Sequence, residues 1–127
     1  MHIPYGSTLT VDLGGAADPN VRFVAFYSDY DINGRLVKKG VNAEVGAGTT
    51  DVDLVDSPAV DHVRVVENIQ IYNADNASAT VSIWYDNGTT EYPMAVVALA
   101  TLEHMQWTKE RGFMVLTATG ELKVTTA

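Results

Sequence analysis

The chain has 127 residues, enough for one domain with one hydrophobic core, whereas a second independent core would be hard to close. Its 46% apolar and 19% charged residues are typical of a folded globular protein, and its net charge of −8 without a basic cluster argues against nucleic acid as a partner. The lack of cysteine excludes disulfide bonds, thiolate chemistry and cysteine-based zinc sites.

Strand patterns occupy the first half of the chain. Residues 8–13 alternate between apolar and polar types, and residues 21–29 are largely apolar on both faces, which predicts a central strand. Asn33-Gly34 predicts a tight hairpin turn with positive φ at both central positions, followed by a returning arm over residues 35–39. Residues 50–54 alternate again and predict a further strand.

The second half contains further strand and turn patterns. Residues 63–73 predict a strand in which the polar pair Glu67-Asn68 indicates a bulge. Residues 79–85 lead into Asp86-Asn87-Gly88, the strongest hairpin signal in the chain. Residues 94–100 are rich in alanine and fit either a short helix or a buried strand, because periodicity does not separate the two. Short strands with glycine turns follow to residue 124.

Strand signals every ten or so residues, separated by glycine, asparagine and aspartate, predict an all-β fold. We expect a single-domain antiparallel β-sandwich, jelly-roll-like or immunoglobulin-like, with one short helix near residues 94–100 as an option. Residues 1–20 are predicted to form an N-terminal arm or a first strand, and residues 21–127 the sandwich domain. The N-terminus lacks the pattern of a signal peptide and no long apolar run occurs, so we expect a cytoplasmic start and no membrane partner.

One segment resembles half of a calcium loop. Asp29, Asp31 and Asn33 place oxygen ligands at alternate positions before Gly34, but the twelfth position is Gly40, where a bidentate glutamate would be needed. The hairpin turn is therefore the favoured interpretation, with calcium at Asp29, Asp31 and Asn33 as the weaker alternative. We otherwise expect no metal and no cofactor.

Catalytic patterns are not found. The histidines His2, His62 and His104 are widely spaced, no glycine-flanked nucleophile occurs, and the glycine-rich segment at residues 46–50 lacks the lysine of a phosphate-binding loop. We therefore predict that the protein is not an enzyme.

Large aromatic side chains are the candidate contact residues. Trp84, Tyr85 and Tyr92 flank one predicted hairpin, and they would suit either a sugar-stacking platform or a subunit interface, where such residues are enriched. The predicted interface residues are Trp84, Tyr85, Tyr92, Trp107 and Phe113.

The stretch from residue 41 to 123 resembles small structural proteins of tailed-bacteriophage virions. The likeness lies in local patterns: a Gly-Thr turn, apolar strand and Pro-Ala loop over residues 48–59, a strand ending in Asn73, a Thr-Val strand into Gly88, and a closing Gly-Phe-x-Val-Leu strand at residues 112–116. The resemblance implies self-assembly and no catalytic residues.

The leading functional hypothesis is accordingly a capsid decoration or cement protein located in the virion. Its expected partners are the major capsid protein or other virion proteins, and its expected form is a homo-oligomer, with a trimer favoured, because symmetric contacts stabilise a small domain. A neck, tail or fibre-base component is the alternative within the virion. A carbohydrate-binding β-sandwich module is the alternative from another class.

Overall fold

The structure is a computed structural model that describes residues 1–14 and 20–123. Over these residues the chain forms two antiparallel sheets. The larger sheet contains β1 (His2–Pro4), β3 (Val21–Asp31), β4 (Leu36–Val45), β6 (His62–Asn73), β9 (His104–Thr108), β10 (Gly112–Leu116) and β11 (Leu122–Lys123). The smaller sheet contains β2 (Thr8–Gly14), β5 (Val52–Val55), β7 (Ala79–Asp86) and β8 (Glu91–Leu99).

The strand order is β11-β10-β9-β6-β3-β4 in the larger sheet and β5-β2-β7-β8 in the smaller one. Strands β1 and β9 share one edge of β6: β1 pairs with its first part, and β9 pairs with its last part. The sheets enclose one core of alternating apolar side chains, with Phe23, Ile69 and Ile71 from the larger sheet and Leu9, Val11 and Ile83 from the smaller one. The predicted antiparallel β-sandwich is therefore confirmed.

The N-terminal residues belong to this sandwich. Ile3 in β1 is fully buried and pairs opposite Arg64, while β2 lies between β5 and β7. Residues 2–4 and 8–14 are thus strands of the two sheets. The remainder of the predicted arm from residue 15 to 19, and the chain end at residues 124–127, lie outside the described residues.

The predicted bulge at Glu67-Asn68 is present in β6. Tyr27 pairs with Val66 while its neighbour Phe26 pairs with Asn68, so Glu67 is the extra residue. The bulge changes the phase of the strand, since Val66 and Ile69, three residues apart, are both buried. It thereby turns the side chain of Arg64 toward the interior.

Two local predictions need correction. In the turn after β3, Gly34 has φ 76° and Asn33 does not have positive φ, while the Gly34 amide donates to the Asp31 carbonyl at 3.0 Å. This is a three-residue turn with a glycine bulge instead of a two-residue turn, and the arm after it, β4, continues to Val45.

The prediction for residues 94–100 also needs correction, because the short-helix option is wrong. The segment lies in β8, which pairs with β7 and buries Ala95 and Leu99 while Val96 stays exposed. Alternation along a hydrogen-bonded ladder decides the structure here, since Ala95 and Leu99 face the core while Val96 and Ala98 are exposed.

Candidate interaction surfaces

The residues of the possible calcium loop have other partners. The Asp29 carboxylate is buried and bonded to Arg64. The Asp31 carboxylate accepts from the backbone amides of Asn33 at 2.9 Å and Arg35 at 3.0 Å, an arrangement that holds the hairpin turn. In the described part of the chain, no three His, Cys, Asp or Glu side chains are arranged to hold a metal ion.

Arg64 is the centre of a buried polar cluster between β3 and β6. Its Nε and Nη2 donate to Asp29 at 2.8 and 3.0 Å, and its Nη1 donates to the Asp56 carbonyl at 3.1 Å. The guanidinium carbon lies 3.9 Å from the centre of the Tyr27 ring. The hydrogen bonds to Asp29 raise the pKa of Arg64 further above its already high value, so the cation is permanent. This cluster therefore fixes the position of β3 relative to β6.

The predicted interface aromatics do not share one surface. Tyr85, Trp107 and Phe113 pack against the core, and the Tyr85 hydroxyl lies 3.0 Å from the Ser7 hydroxyl. Trp84 is half-buried on the opposite face of β7, where its Nε1 donates to Asp12 at 3.0 Å. Tyr92 is exposed on β8.

This arrangement bears on the hypothesis that Trp84, Tyr85 and Tyr92 form a sugar-stacking platform. Trp84 and Tyr85 are adjacent in one strand, so their side chains lie on opposite faces of the smaller sheet. Tyr92 pairs with Tyr85 across the strands and not with Trp84, whose partner is Pro93. The three rings therefore do not form one stacking surface, and their role as contact residues stays a prediction.

The outer face of the larger sheet, meaning the face turned away from the core, carries an apolar patch on β3 and β4 beside polar residues such as Arg22 and Gln70. Phe26 on β3 is 44% exposed and pairs with Val41 on β4, which is 57% exposed. Two shallow grooves run beside Val24, one toward β4 and one toward β6 and β9. The exposed or groove-lining residues of this face include Arg22, Val24, Phe26, Val41, Val45, Tyr72 and His104.

One polar atom on this face has no partner. Asn68 pairs with Phe26, and its carboxamide oxygen is buried without a hydrogen bond in the described residues. Contiguous exposed apolar side chains on a small protein commonly mark a contact surface. The outer face of the larger sheet is thus the first candidate interaction surface.

Strand β4 forms the free edge of that sheet. It is ten residues long, contains no proline, and exposes every side chain except Gly40 and Asn42, which are half-buried. The Asn42 amide donates to the Asp53 and Leu54 carbonyls at 3.1 and 2.9 Å, which ties β4 to β5 of the other sheet.

The other edges of the described chain are protected against pairing. Strand β5 has four residues and carries Asp53, and β11 has two residues. Strand β8 contains Pro93, next to a register shift. Short length, charge, proline and bulges are the usual devices that prevent edge pairing. Strand β4 carries the charged residues Lys39 and Glu44 but has neither a proline nor a register shift over residues 39–45, so its long edge is the second candidate interaction surface.

The outer face of the smaller sheet is acidic. Desolvation raises the pKa of the carboxyls of Asp12, Asp53 and Glu91, and the negative charge of Asp51 raises all three further. Thr10 lies on the same face between Asp53 and Trp84, and its hydroxyl is buried without a hydrogen-bond partner among the described residues. The two outer faces therefore differ sharply in character.

Sequence reasoning missed the apolar patch on the outer face and the β4 edge. It ended the returning arm at residue 39, before Val41 and Val45. The signal was present, because odd-numbered residues from Val41 to Val45 are apolar, but an alternating strand is normally assumed to turn such residues inward. In the structure the half-buried face carries the even-numbered residues Gly40 and Asn42 instead.

None of the described residues forms a helix that could cross a membrane. Comparison of the chain with protein-family models, with curated proteins and with solved structures finds no match.

Proposed function

We propose that this protein is a non-enzymatic structural component of a bacteriophage virion, foremost a capsid decoration or cement protein. It would bind the major capsid lattice and join neighbouring subunits, which adds buried area and slows dissociation of the shell. Self-association of the chain is part of the proposal.

The observation that carries the proposal is the apolar patch on the outer face of the larger sheet, together with the long free edge of β4. Phe26, Val41 and Val45 are each exposed by 44% or more on adjacent strands. Water contact with such a surface is unfavourable, and covering it stabilises a complex by roughly 25 cal/mol per Å² of apolar area. A protein whose work is contact with neighbours would present this surface.

The rigid frame behind the surface also supports an assembly role. Arg64 on β6 contacts both Asp29 and Tyr27 on β3, which holds the two strands together. The hydrogen bond from Asn42 holds β4 against β5. A contact surface that is held in place before binding loses little conformational entropy on association.

The virion part of the proposal comes from the resemblance of residues 41–123 to tailed-phage structural proteins. The motifs that carry the likeness fall on β5, β6, β7 and β10 and on turns beside them. A neck, tail or fibre-base location is the alternative within the same class, and it would use the same surfaces.

The test is cosedimentation of the purified protein with expanded empty heads of the phage that encodes it. We expect saturable binding, and we expect decorated heads to withstand a higher temperature before dissociating. Phe26→Ser should weaken binding, whereas the matched control Ile32→Ser removes a 77% exposed apolar side chain from the hairpin tip and should not. Circular dichroism would verify that both variants keep the β fold.

The outcomes of this test distinguish a location on the head from one on the neck or tail. Binding to purified tails or necks and not to heads would replace the cement proposal with the alternative. Binding to no virion part would refute the virion proposal. If Phe26→Ser and Ile32→Ser bind heads equally well, the outer face of the larger sheet is not the capsid contact.

A further inference from the structure

The backbone of β4 offers hydrogen-bonding groups along its free edge. The amide of Gly46 donates to the Val21 carbonyl at 2.8 Å, and pairs that exchange such bonds alternate along an antiparallel ladder. The even-numbered residues Gly40, Asn42 and Glu44 therefore direct their backbone groups toward β3. The odd-numbered residues between them direct N–H and C=O groups outward, to the unpaired side.

The side chains along the strand are self-complementary. If a second β4 runs antiparallel to the first with Val41 opposite Val41, then Lys38 lies opposite Glu44 and Lys39 opposite Ala43, while Val37 is the extra residue of a bulge against β3 and lies beyond this regular ladder. The two-fold symmetry generates the Lys38–Glu44 pair twice. Glu44 makes no ion pair elsewhere in the described chain, and Lys38 has only a 3.9 Å contact with Asp29.

We propose that two copies of this chain join edge to edge through β4, antiparallel about a two-fold axis at Val41, so that their larger sheets become one continuous sheet. This inference rests on the self-association in the proposed function and gives it a two-fold geometry in place of the trimer expected from the sequence. The partner is a second copy, since the same patch serves both sides of a two-fold interface.

The hydrogen-bond pattern agrees with this register. Val41 with Val41 and Lys39 with Ala43 become the bonded pairs, and these are the residues whose backbone groups face outward. The Lys38–Glu44 pairs then fall at the non-bonded positions, where side chains across two strands lie closest.

The register also joins the apolar surfaces. Phe26 lies opposite Val41 within one copy, so pairing Val41 with Val41 creates a row of Phe26, Val41, Val41 and Phe26 across the new sheet. Slipping the register by two residues in either direction places Lys38 opposite Asn42 or Gly46 and breaks both ion pairs. Opposite charges across strands stabilise one register, and their loss disfavours the others.

The sharpest test uses the absence of cysteine from the chain. In Val41→Cys the two new thiols would face each other with Cα atoms about 5.5 Å apart, which is within the range that a disulfide spans. We expect mild oxidation to convert most of this variant into a covalent dimer that reducing agent dissociates. Sedimentation velocity of the unmodified protein should show a concentration-dependent dimer.

The matched control is Val45→Cys, which has the same strand, the same face and nearly the same exposure, 53% against 57%. No second residue 45 lies opposite it in this register, so it should not cross-link with itself, whereas the double variant Lys39→Cys/Ala43→Cys, whose two positions face each other, should. Equal cross-linking of Val41→Cys and Val45→Cys would overturn the register. A monomer at all concentrations, or a trimer, would overturn the β4 interface.

A charge exchange tests the same register without oxidation. Glu44→Lys places like charges opposite Lys38 twice and should weaken the dimer roughly tenfold or more. Lys38→Glu/Glu44→Lys should restore association, with the melting temperature verifying the fold of both variants. Failure of this rescue would contradict the pairing but not the virion proposal, which is decided by binding to heads.

Discussion

Arg64 and Asp29 form a two-point ion pair in the interior, with Nε 2.8 Å from Oδ1 and Nη2 3.0 Å from Oδ2, and both side chains are less than 10% exposed. The two residues lie directly opposite each other on β6 and β3. Desolvating two charges is costly, so the pair depends on this geometry and on the further bond from Arg64 to the Asp56 carbonyl.

Removing one partner of this pair should destabilise the fold strongly. Asp29→Ala leaves the Arg64 cation buried without its carboxylate, and we expect the free energy of unfolding to fall by about 3–5 kcal/mol. Lys38→Ala is the matched control, since it removes a 58% exposed ammonium 3.9 Å from the same carboxylate and should cost less than about 1 kcal/mol. Urea denaturation measures both changes, and similar losses in the two variants would contradict the structural role of the pair.

The contact between Gly40 and Tyr27 predicts a coupled pair of substitutions. A Cβ at position 40 would lie 2.5 Å from the Tyr27 ring, which is also held by Arg64 on β6. Gly40→Ala should therefore cost about 1–3 kcal/mol through overpacking. In the Tyr27→Ala background the same substitution should cost little, and a double-mutant cycle by chemical denaturation measures the coupling. Additive losses would show that the ring moves aside freely.

Substitution of Asn73 should lower the free energy of unfolding more than substitution of a surface asparagine. Asn73 is fully buried at the end of β6, and its amide donates to the Ala77 and Leu99 carbonyls at 2.9 and 3.0 Å while its oxygen accepts from the Asp75 amide. Asn73→Ala leaves these backbone groups unsatisfied, so unfolding free energy should fall by about 1–3 kcal/mol or more. Asn76→Ala, three residues away, is the control and should stay within about 0.5 kcal/mol.

How far the sequence predicts this structure depends on the kind of signal. Alternation predicts β2 and β7 and the polar pair Glu67-Asn68 predicts the bulge, because both are local properties of the backbone. The ion pair of Asp29 with Arg64 joins residues 35 positions apart and depends on the register of β3 with β6, which no local pattern specifies.

Sequence analysis missed the candidate interaction surfaces for a related reason. Aromatic content led the sequence analysis to Trp107 and Phe113, which pack against the core, while the apolar residues exposed on β4 include its three valines. Exposure of a strand depends on its place in the sheet order, and β4 lies at an edge only because β6 occupies the other side of β3.

The acidic face of the smaller sheet predicts a coupled titration. Asp51 contributes to the raised pKa of Asp12, Asp53 and Glu91, so Asp51→Asn should lower all three pKa values together. Carbon-detected NMR titration of the carboxyl groups measures each value separately. The control is Glu110→Gln, which removes one negative charge from the exposed turn after β9 and should leave the three values unchanged.

The sign of the linked stability change follows from the direction of these shifts. A carboxyl whose pKa is higher in the folded chain than in the unfolded one binds protons more tightly when folded, so its ionisation weakens folding as the pH rises through the folded pKa. Asp51→Asn should therefore stabilise the protein modestly at pH 7, and the difference should shrink as the pH falls toward the unfolded pKa near 4. Glu67 and Glu103 have lowered pKa values and act in the opposite direction, so the comparison must be made between variant and parent at each pH. A difference that is constant between pH 7 and pH 4 would show that Asp51 acts through packing and not through charge.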